Sequence, residues 1–212
     1  MHALGQFAHS NGADVEGGVI RDGVDLAEPL GSQKTIGPGN VLRLKFGWIT
    51  TAQLYPVIQN QGTTTVYLQT PAIATRGIGP NSPPIGVTIM VRDLAGNLTG
   101  EVYILERRLQ YGLWDQFGTD VQAFVKGVTI RKVATNLANS QVGSVLVNTD
   151  SLSSCCKTVS LIPGPVFTSP ISGVIFKTYP ATRMWQRVEV TLGSNYPVAP
   201  ANPDFGEVRR EW

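Results

Sequence analysis

Residues 87–107, VTIMVRDLAGNLTGEVYILER, contain the clearest local structural signal in this chain. Two runs rich in branched residues, Val87–Arg92 and Val102–Arg107, flank the turn-forming stretch Leu94–Gly100. Branched side chains favour extended backbone, and glycine and asparagine favour a reversal of the chain. The stretch therefore predicts a β-hairpin.

Alternation of apolar and polar residues continues on both sides of this hairpin. From Val41 onward, the apolar positions of one run are Leu42, Leu44, Phe46 and Trp48. Arg43 and Lys45 fall between them, which predicts a half-buried strand. Further predicted strands are Gln53–Gln59, Thr63–Gln69, Val128–Ala134, Val142–Asn148, Lys157–Ile162, Gly173–Tyr179 and Trp185–Leu192.

About ten short strands separated by turn-forming residues indicate an all-β protein, an antiparallel β-sandwich over residues 41–192. One stretch departs from this pattern, because Leu105, Leu109 and Leu113 recur at four-residue spacing. We therefore expect one short helix between residues 108 and 126.

The two ends of the chain lack this periodicity. Residues 1–40 predict an extended N-terminal arm that ends at Gly37-Pro38-Gly39. The arm is acidic, since its first 28 residues hold five carboxylates and one arginine. Residues 193–212 contain three prolines and predict an extended C-terminal tail.

The composition excludes several classes of protein. Only 15% of the 212 residues are charged, against roughly 25% in an ordinary soluble domain. The net charge of +2, with basic doublets only at Arg107-Arg108, Arg131-Lys132 and Arg209-Arg210, argues against strong nucleic-acid binding. No basic leader or long apolar stretch predicts a signal peptide or a membrane span, although peripheral membrane contact stays open. Adjacent Cys155 and Cys156 are expected to be free thiols.

The usual signatures of catalysis and of cofactor or metal binding are missing from the sequence. Both histidines, His2 and His9, lie in the predicted arm, where no base is held rigidly against a nucleophile. Two adjacent cysteines cannot complete a zinc site. The arm carboxylates Asp14, Glu16, Asp22 and Asp25 do not match the spacing of a calcium loop. We expect no catalytic, cofactor-binding or metal-binding residues, and no enzyme.

One catalytic alternative stays open at this stage. A pair drawn from Glu101, Glu106, Asp115 and Asp120 could serve a hydrolase built on the sandwich, because glycosidases use two carboxylates. The simpler interpretation of Glu106-Arg107-Arg108 is a strand end with its charges in water.

The scarcity of charge suggests that outer strand faces are covered by other copies of the protein. Strands that bear threonine and glutamine, such as Gln59–Gln69, can form hydrogen bonds across an interface without dehydrating ions. Extended arms at both ends would add contact area between neighbouring copies.

These features together resemble the single jelly-roll coat proteins of icosahedral viruses. The features that match are the poorly charged strand pattern of 41–192, the arm Met1–Asn40 and the proline-bearing tail Asn195–Pro203. The resemblance implies a virion structural protein, a capsid or vertex subunit that assembles with itself and with other coat proteins. It also implies synthesis in the host cytoplasm and location in the virion. The acidic arm departs from coat proteins whose basic arms bind the genome.

A second class of function remains an alternative. A glycan-binding sandwich, such as a lectin or a viral attachment protein, would stack exposed tryptophans on sugar rings. The candidates for that role are Trp48, Trp114, Trp185 and Trp212.

Overall fold

A computed structural model describes residues 11–13, 16, 20–21, 39–57, 59–70, 83–109, 126–134, 144–149 and 160–198. The first elements are β1 (Asn11–Ala13), β2 (Ile20–Arg21), α1 (Asn40–Lys45), a short 3-10 helix (Thr51–Gln53), β3 (Leu54–Pro56) and β4 (Gly62–Gln69). The remaining elements are β5 (Gly86–Arg92), β6 (Leu98–Arg107), β7 (Val128–Ala134), β8 (Val145–Leu146), β9 (Val166–Thr168), β10 (Ile175–Thr178) and β11 (Trp185–Leu192).

The strands form two sheets. The larger sheet has the order β2-β1-β8-β7-β6-β5-β3, with five of its strands from residue 54 onward, and the smaller sheet has the order β4-β11-β10-β9. Most neighbours are antiparallel, but β3 joins β5 and β1 joins β8 in parallel. Because the two sheets share one cluster of buried residues, the prediction of an all-β sandwich is confirmed.

The finer topology differs from the expected one. A jelly roll contains two Greek keys. The smaller sheet has Greek-key order, since the consecutive strands β9, β10 and β11 are followed in space by β4. In the larger sheet, β5 to β8 lie side by side as a meander. The jelly-roll topology is therefore not confirmed within the described residues.

The predicted hairpin is confirmed as β5 and β6. Ile89 lies opposite Tyr103, and the register shifts between Met90 and Arg92. Gly96 adopts a φ of 89° in the turn, a conformation that favours glycine.

The core lies between the sheets and follows the alternation of the strands. Members from the larger sheet include Val87, Ile89, Val91 and Leu105, and members from the smaller sheet include Leu68, Phe176, Val188 and Val190. Tyr103 of β6 meets Phe176 of β10 edge to face, with ring centroids 5.5 Å apart. These residues tie the two sheets together, because burial of large apolar side chains is the main favourable contribution to folding.

The strand predicted from Val41 is wrong, because this segment forms helix α1. Val41 and Leu42 are buried, while Trp48 is 58% exposed. Apolar residues three and four positions apart, such as Val41 with Leu44, also fit a helix, so the pattern is ambiguous over a short run. The backbone N–H of Asn40, at the start of α1, donates to a carboxylate oxygen of Glu106 at 2.6 Å.

Described parts of both terminal regions contact the sandwich of the same chain. Near the N-terminus, β1 pairs with β8, and the Glu16 carboxylate accepts a hydrogen bond from the Tyr103 hydroxyl. Burial, with the Glu16 charge adding to it, raises the pKa of Tyr103. Near the C-terminus, Tyr196 is buried and its hydroxyl donates to the Met90 carbonyl oxygen at 3.0 Å. The predicted boundaries of arm and tail stay predictions, because most of residues 1–38 and all of 199–212 lie outside the described residues.

Candidate functional site

The outer face of the larger sheet, which points away from the core, carries a concave site. Its positions on β6 and β7 pair as Val102 with Val133, Ile104 with Arg131, and Glu106 with Thr129. One end of this face is therefore apolar and the other is charged. Helix α1 covers the face, since Val41 and Leu44 pack against Ile104 and Val133.

The apolar end contains a cavity of about 330 Å³. Helix α1, the 3-10 helix and the segment after β3 contribute walls beside the sheet, which β3 extends next to β5, and the pocket is partly open to solvent. Its lining residues are Leu44, Thr51, Leu54, Pro56, Val57, Gln59, Thr88, Met90, Val102, Ile104 and Val133. None of these residues is charged.

Gln59 is the lining residue with a side-chain amide. Its side-chain N–H donates to the carbonyl oxygen of Val57 at 2.6 Å. Its side-chain oxygen is buried and has no hydrogen-bond partner among the described residues. Because almost none of the surface of this oxygen is accessible, it is closed off from the pocket, whose walls are mainly apolar.

The charged end is a buried cluster centred on Glu106. The Glu106 Oε1 atom lies 3.6 Å from Arg131 Nε and 3.7 Å from an Arg108 nitrogen, and the three side chains are almost fully buried. Glu106 also accepts the Asn40 N–H, and Thr129 Oγ1 lies 3.4 Å from Oε1. Each charge thus has a partner, as buried charges require.

The electrostatics of this cluster keep the carboxylate ionised. Burial alone would raise the pKa of Glu106, but Arg108, Arg131 and the Asn40 N–H outweigh it and lower that pKa below its ordinary value. A carboxyl group used as a general acid near neutral pH needs a raised pKa instead. The cluster therefore stabilises the fold rather than storing a proton.

The structure corrects the interpretation of Glu106-Arg107-Arg108 as a solvated strand end. All three residues are buried. Arg107 points toward the inner side and donates to the Thr182 carbonyl oxygen at 2.8 Å. The alternation of the strands indicates this burial. Glu106 lies on the same face as Val102 and Ile104, and Arg131 lies on the same face as Val133.

Of the four carboxylates proposed for a hydrolase, the structure describes Glu101 and Glu106, and it does not bring these two together. Glu101 and Glu106 are five residues apart on β6, so their side chains point to opposite faces of the sheet. Glu101 instead forms an ion pair of 3.2 Å with Lys132. Asp115 and Asp120 lie outside the described residues.

The outer face of the smaller sheet is the second notable surface, and we call it the exposed face. Its members are Thr63, Thr65, Tyr67, Gln69, Val166, Thr168, Ile175, Lys177, Trp185, Arg187, Glu189 and Thr191. Three of these residues are charged, and Arg187 forms an ion pair with Glu189. Tyr179 donates a hydrogen bond to Glu189 at 2.6 Å. This bond lowers the pKa of Glu189, and the contact with Arg187 lowers it to a smaller degree. Tyr67 is 56% exposed.

Strand β4 forms one edge of this smaller sheet. It pairs with β11 without a register break from Gly62 to Gln69. Its other edge pairs with no strand of the described residues, but the backbone N–H of Gln69 at the end of β4 donates to the Pro84 carbonyl oxygen at 2.9 Å. The sequence GTTTVYLQ contains no charge and no proline, so it lacks the features by which proteins usually protect an edge.

The tryptophans divide into three groups. Trp48 is exposed and stacks on Phe46 with ring centroids 5.0 Å apart. Trp185 is half-buried at the start of β11. Trp114 and Trp212 lie outside the described residues.

Several other predictions fall outside the described part of the chain. These are the helix over most of 108–126, His2 and His9, and Cys155 and Cys156. Among the described residues, no cluster of three or more histidine, cysteine or acidic side chains is arranged to hold a metal ion. No helix in the described ranges has the length and apolar character needed to cross a membrane.

Comparison of the chain with protein-family models, with curated proteins and with solved structures finds no match.

Proposed function

We propose that this protein is a structural subunit of a virion, a coat or vertex protein that self-associates through the smaller sheet. The observation that carries the proposal is the exposed face together with the unprotected edge of β4. The proposal of a virion role comes from the resemblance to coat proteins in composition and strand pattern. Because the larger sheet contains a meander, jelly-roll topology is not an argument for that role.

Charge is the first argument for an interface at the exposed face. Burying an unpaired ion in an interface costs free energy, whereas threonine and glutamine side chains can exchange water for hydrogen bonds with a partner. The threonines on β4 and β11 already bond in this way, since the hydroxyls of Thr63 and Thr191 lie 2.8 Å apart. The same chemistry can continue across to a second copy.

The edge of β4 is the second argument. The edge of β4 before Gln69, whose N–H already bonds Pro84, can add a strand from another copy through backbone hydrogen bonds. Two copies of β4 can pair about a two-fold axis, because no charged side chain on this strand would meet its own symmetry mate. Pairing of this kind would join two four-stranded sheets into one continuous sheet.

The test is the mass of the full chain in solution, measured by sedimentation velocity over a dilution series. We expect the unchanged protein to form dimers or larger assemblies. The variant Thr65→Lys places a cation on the edge of β4, next to Glu189 of the same sheet. It should therefore keep the fold and weaken association at least about tenfold, or ~1.4 kcal/mol.

The matched control is Ala95→Lys, which adds the same charge to the exposed turn between β5 and β6. It should associate like the unchanged protein. A chain that stays monomeric at every concentration would refute the proposal. Equal weakening by both lysine variants would show that net charge, and not the edge of β4, controls association.

Trp48 supports a second candidate function, glycan binding. Its exposed ring on Phe46 offers a flat apolar surface of the kind that stacks on sugars. Retention of the protein on a glycan array that disappears in Trp48→Ala would favour this alternative. Retention that is absent, or unchanged in the variant, would remove it.

A further inference from the structure

We propose that two copies of this chain pair their β4 strands antiparallel in one register, with the two-fold axis at Thr65 and with Thr63 of each copy opposite Tyr67 of the other. This inference rests on the proposed self-association and adds to it the residues that face each other. Three features of β4 carry it: the direction of its free backbone groups, the bonds that close both ends of its edge, and the position of the nearest charge.

The free backbone groups of β4 belong to alternate residues. Along a strand, the N–H and C=O groups of one residue point to one edge and those of the next residue point to the other. The Gln69 N–H points away from β11, because it donates to the Pro84 carbonyl oxygen at 2.9 Å. Thr63, Thr65 and Tyr67 are in step with Gln69, so their backbone groups point to the same edge. The side chains of all three residues are exposed.

The neighbouring strand confirms this direction independently. Arg187 lies opposite Tyr67 on β11. Its carbonyl oxygen points away from β4, since it accepts the Tyr179 N–H at 3.1 Å on the far side of β11. Arg187 and Tyr67 therefore do not exchange backbone hydrogen bonds, and the backbone groups of Tyr67 are directed outward.

Bonds within the chain close both ends of this edge. At one end, the N–H of Gln69 bonds Pro84, and at the other end, the N–H of Gln61 donates to the Pro197 carbonyl oxygen at 2.8 Å. These two occupied positions lie symmetrically about Thr65. The open part of the edge is therefore short, and Thr65 is its centre.

This open part favours one register over its neighbours. Facing residues in an antiparallel pair exchange two hydrogen bonds when both direct their backbone groups toward each other. With the axis at Thr65, this condition is met at Thr63, Thr65 and Tyr67 of both copies. A shift of two residues would set Tyr67 or Thr63 against a position whose N–H already bonds Pro197 or Pro84. A shift of one residue would face free groups with groups already bonded inside the other sheet.

The side chains suit the same register. Tyr67 would lie beside Thr63 of the other copy, and an aromatic residue opposite a branched one stabilises a strand pair. The charged residue beside the axis is Glu189, which lies opposite Thr65 on β11 and pairs with Arg187. Three strand spacings, roughly 14 Å in all, would separate the two Glu189 positions, more than the Debye length of about 8 Å at physiological ionic strength. Repulsion between them would therefore be weak.

The experiment uses the full chain with single cysteines on β4 and mild oxidation by oxidised glutathione. Facing residues of a bonded pair have Cα atoms about 5.5 Å apart, within the range of a disulfide. Thr65→Cys should therefore crosslink to its own copy. Thr63→Cys and Tyr67→Cys should crosslink when mixed, but neither alone, because like positions would lie more than about 13 Å apart. Mass spectrometry of the peptides distinguishes these bonds from any disulfide of Cys155 or Cys156.

The control is Ala95→Cys, on the exposed turn between β5 and β6, which should not crosslink. Crosslinking of this control to the same extent as Thr65→Cys would indicate random collisions and overturn the register. The mixture of Thr63→Cys and Tyr67→Cys decides the register if Thr65→Cys does not fold.

Sedimentation velocity of the unchanged protein separates the two possible failures. A chain that is monomeric at every concentration would remove the proposed self-association and the register with it. An assembly in which Thr65→Cys does not crosslink, or in which Thr63→Cys crosslinks to itself, would overturn the register and leave self-association standing.

Discussion

Replacing Glu106 by glutamine tests how the buried charges hold α1 and the larger sheet together. The carboxylate is fully buried, accepts the Asn40 N–H at 2.6 Å, and faces Arg131 at 3.6 Å and Arg108 at 3.7 Å. Glu106→Gln keeps the shape and removes the charge, which leaves two buried guanidinium groups beside a neutral amide. Removing one partner of a buried ion pair costs about 3–5 kcal/mol, and we expect a loss of at least ~3 kcal/mol here.

The assay is equilibrium unfolding in urea, followed by circular dichroism. The midpoint should fall while the slope stays the same, because the variant changes stability and not the surface exposed on unfolding. Glu101→Gln is the matched control on the same strand. Its ion pair with Lys132 lies at the surface, with Glu101 35% exposed, so its loss should cost no more than about 1 kcal/mol.

The same variant has a predicted pH dependence. The pKa of Glu106 is lowered in the folded protein, so the unfolded chain binds the proton more readily. The stability from the carboxylate is therefore complete above the unfolded pKa of about 4.3, and is lost as the pH falls through the folded pKa. The difference between the unchanged protein and Glu106→Gln should shrink below about pH 4. A Glu106→Gln cost equal to that of Glu101→Gln, or a difference that does not vary with pH, would refute the buried-pair reasoning.

Two further substitutions test the ends of the sandwich by the same urea assay. Tyr196→Phe removes the hydroxyl that donates to the Met90 carbonyl oxygen, and it should lower the free energy of unfolding by about 1 kcal/mol. The control is Tyr67→Phe at an exposed position, which should leave the stability almost unchanged. Equal losses in the two variants would contradict the anchoring role of Tyr196. Gly127→Ala would place a methyl group against the Leu161 carbonyl oxygen, which accepts the Val128 N–H at 3.0 Å. The variant should lower the free energy of unfolding by about 1–3 kcal/mol. Unchanged stability would show that the backbone around Leu161 can move to make room for the methyl group.

The strands that sequence reasoning located best are those with a long, uniform alternation. Val128–Ala134 and Trp185–Leu192 were predicted with the bounds that the structure has, and the hairpin of β5 and β6 follows its turn residues. In these segments, local preference and burial point to the same conformation. The sandwich could therefore be predicted from pattern alone.

Short segments were predicted less well. Helix α1 has six residues, too few for a helical period to be distinguished from a strand period. Strand β9 has three residues directly after Pro163-Gly164-Pro165, and it is too short for its alternation to predict it. Elements of this length are decided by the surface against which they pack, because their intrinsic preferences are weak.

The site was the least predictable feature. Its cavity is lined by α1 and by four strands of the larger sheet, β3, β5, β6 and β7, and these elements come from distant parts of the chain. The pairing of Glu106 with Arg131 depends on the register of β6 and β7, and a single-residue shift of one strand would put the two side chains on opposite faces. Alternation indicates which face each side chain takes, but it does not show which residue of β7 lies beside Glu106.

The amino-acid sequence by itself determined the class of fold, because period-two alternation and turn residues act within a few positions of each other. It also determined the low surface charge on which the proposed self-association depends. The tertiary structure alone decided the strand order, the helical conformation of α1, the burial of the Glu106 cluster and the cavity beside it. The last three features arise where helix α1, from a distant part of the chain, covers the outer face of the larger sheet. A contact between distant segments forms only when the whole chain is folded.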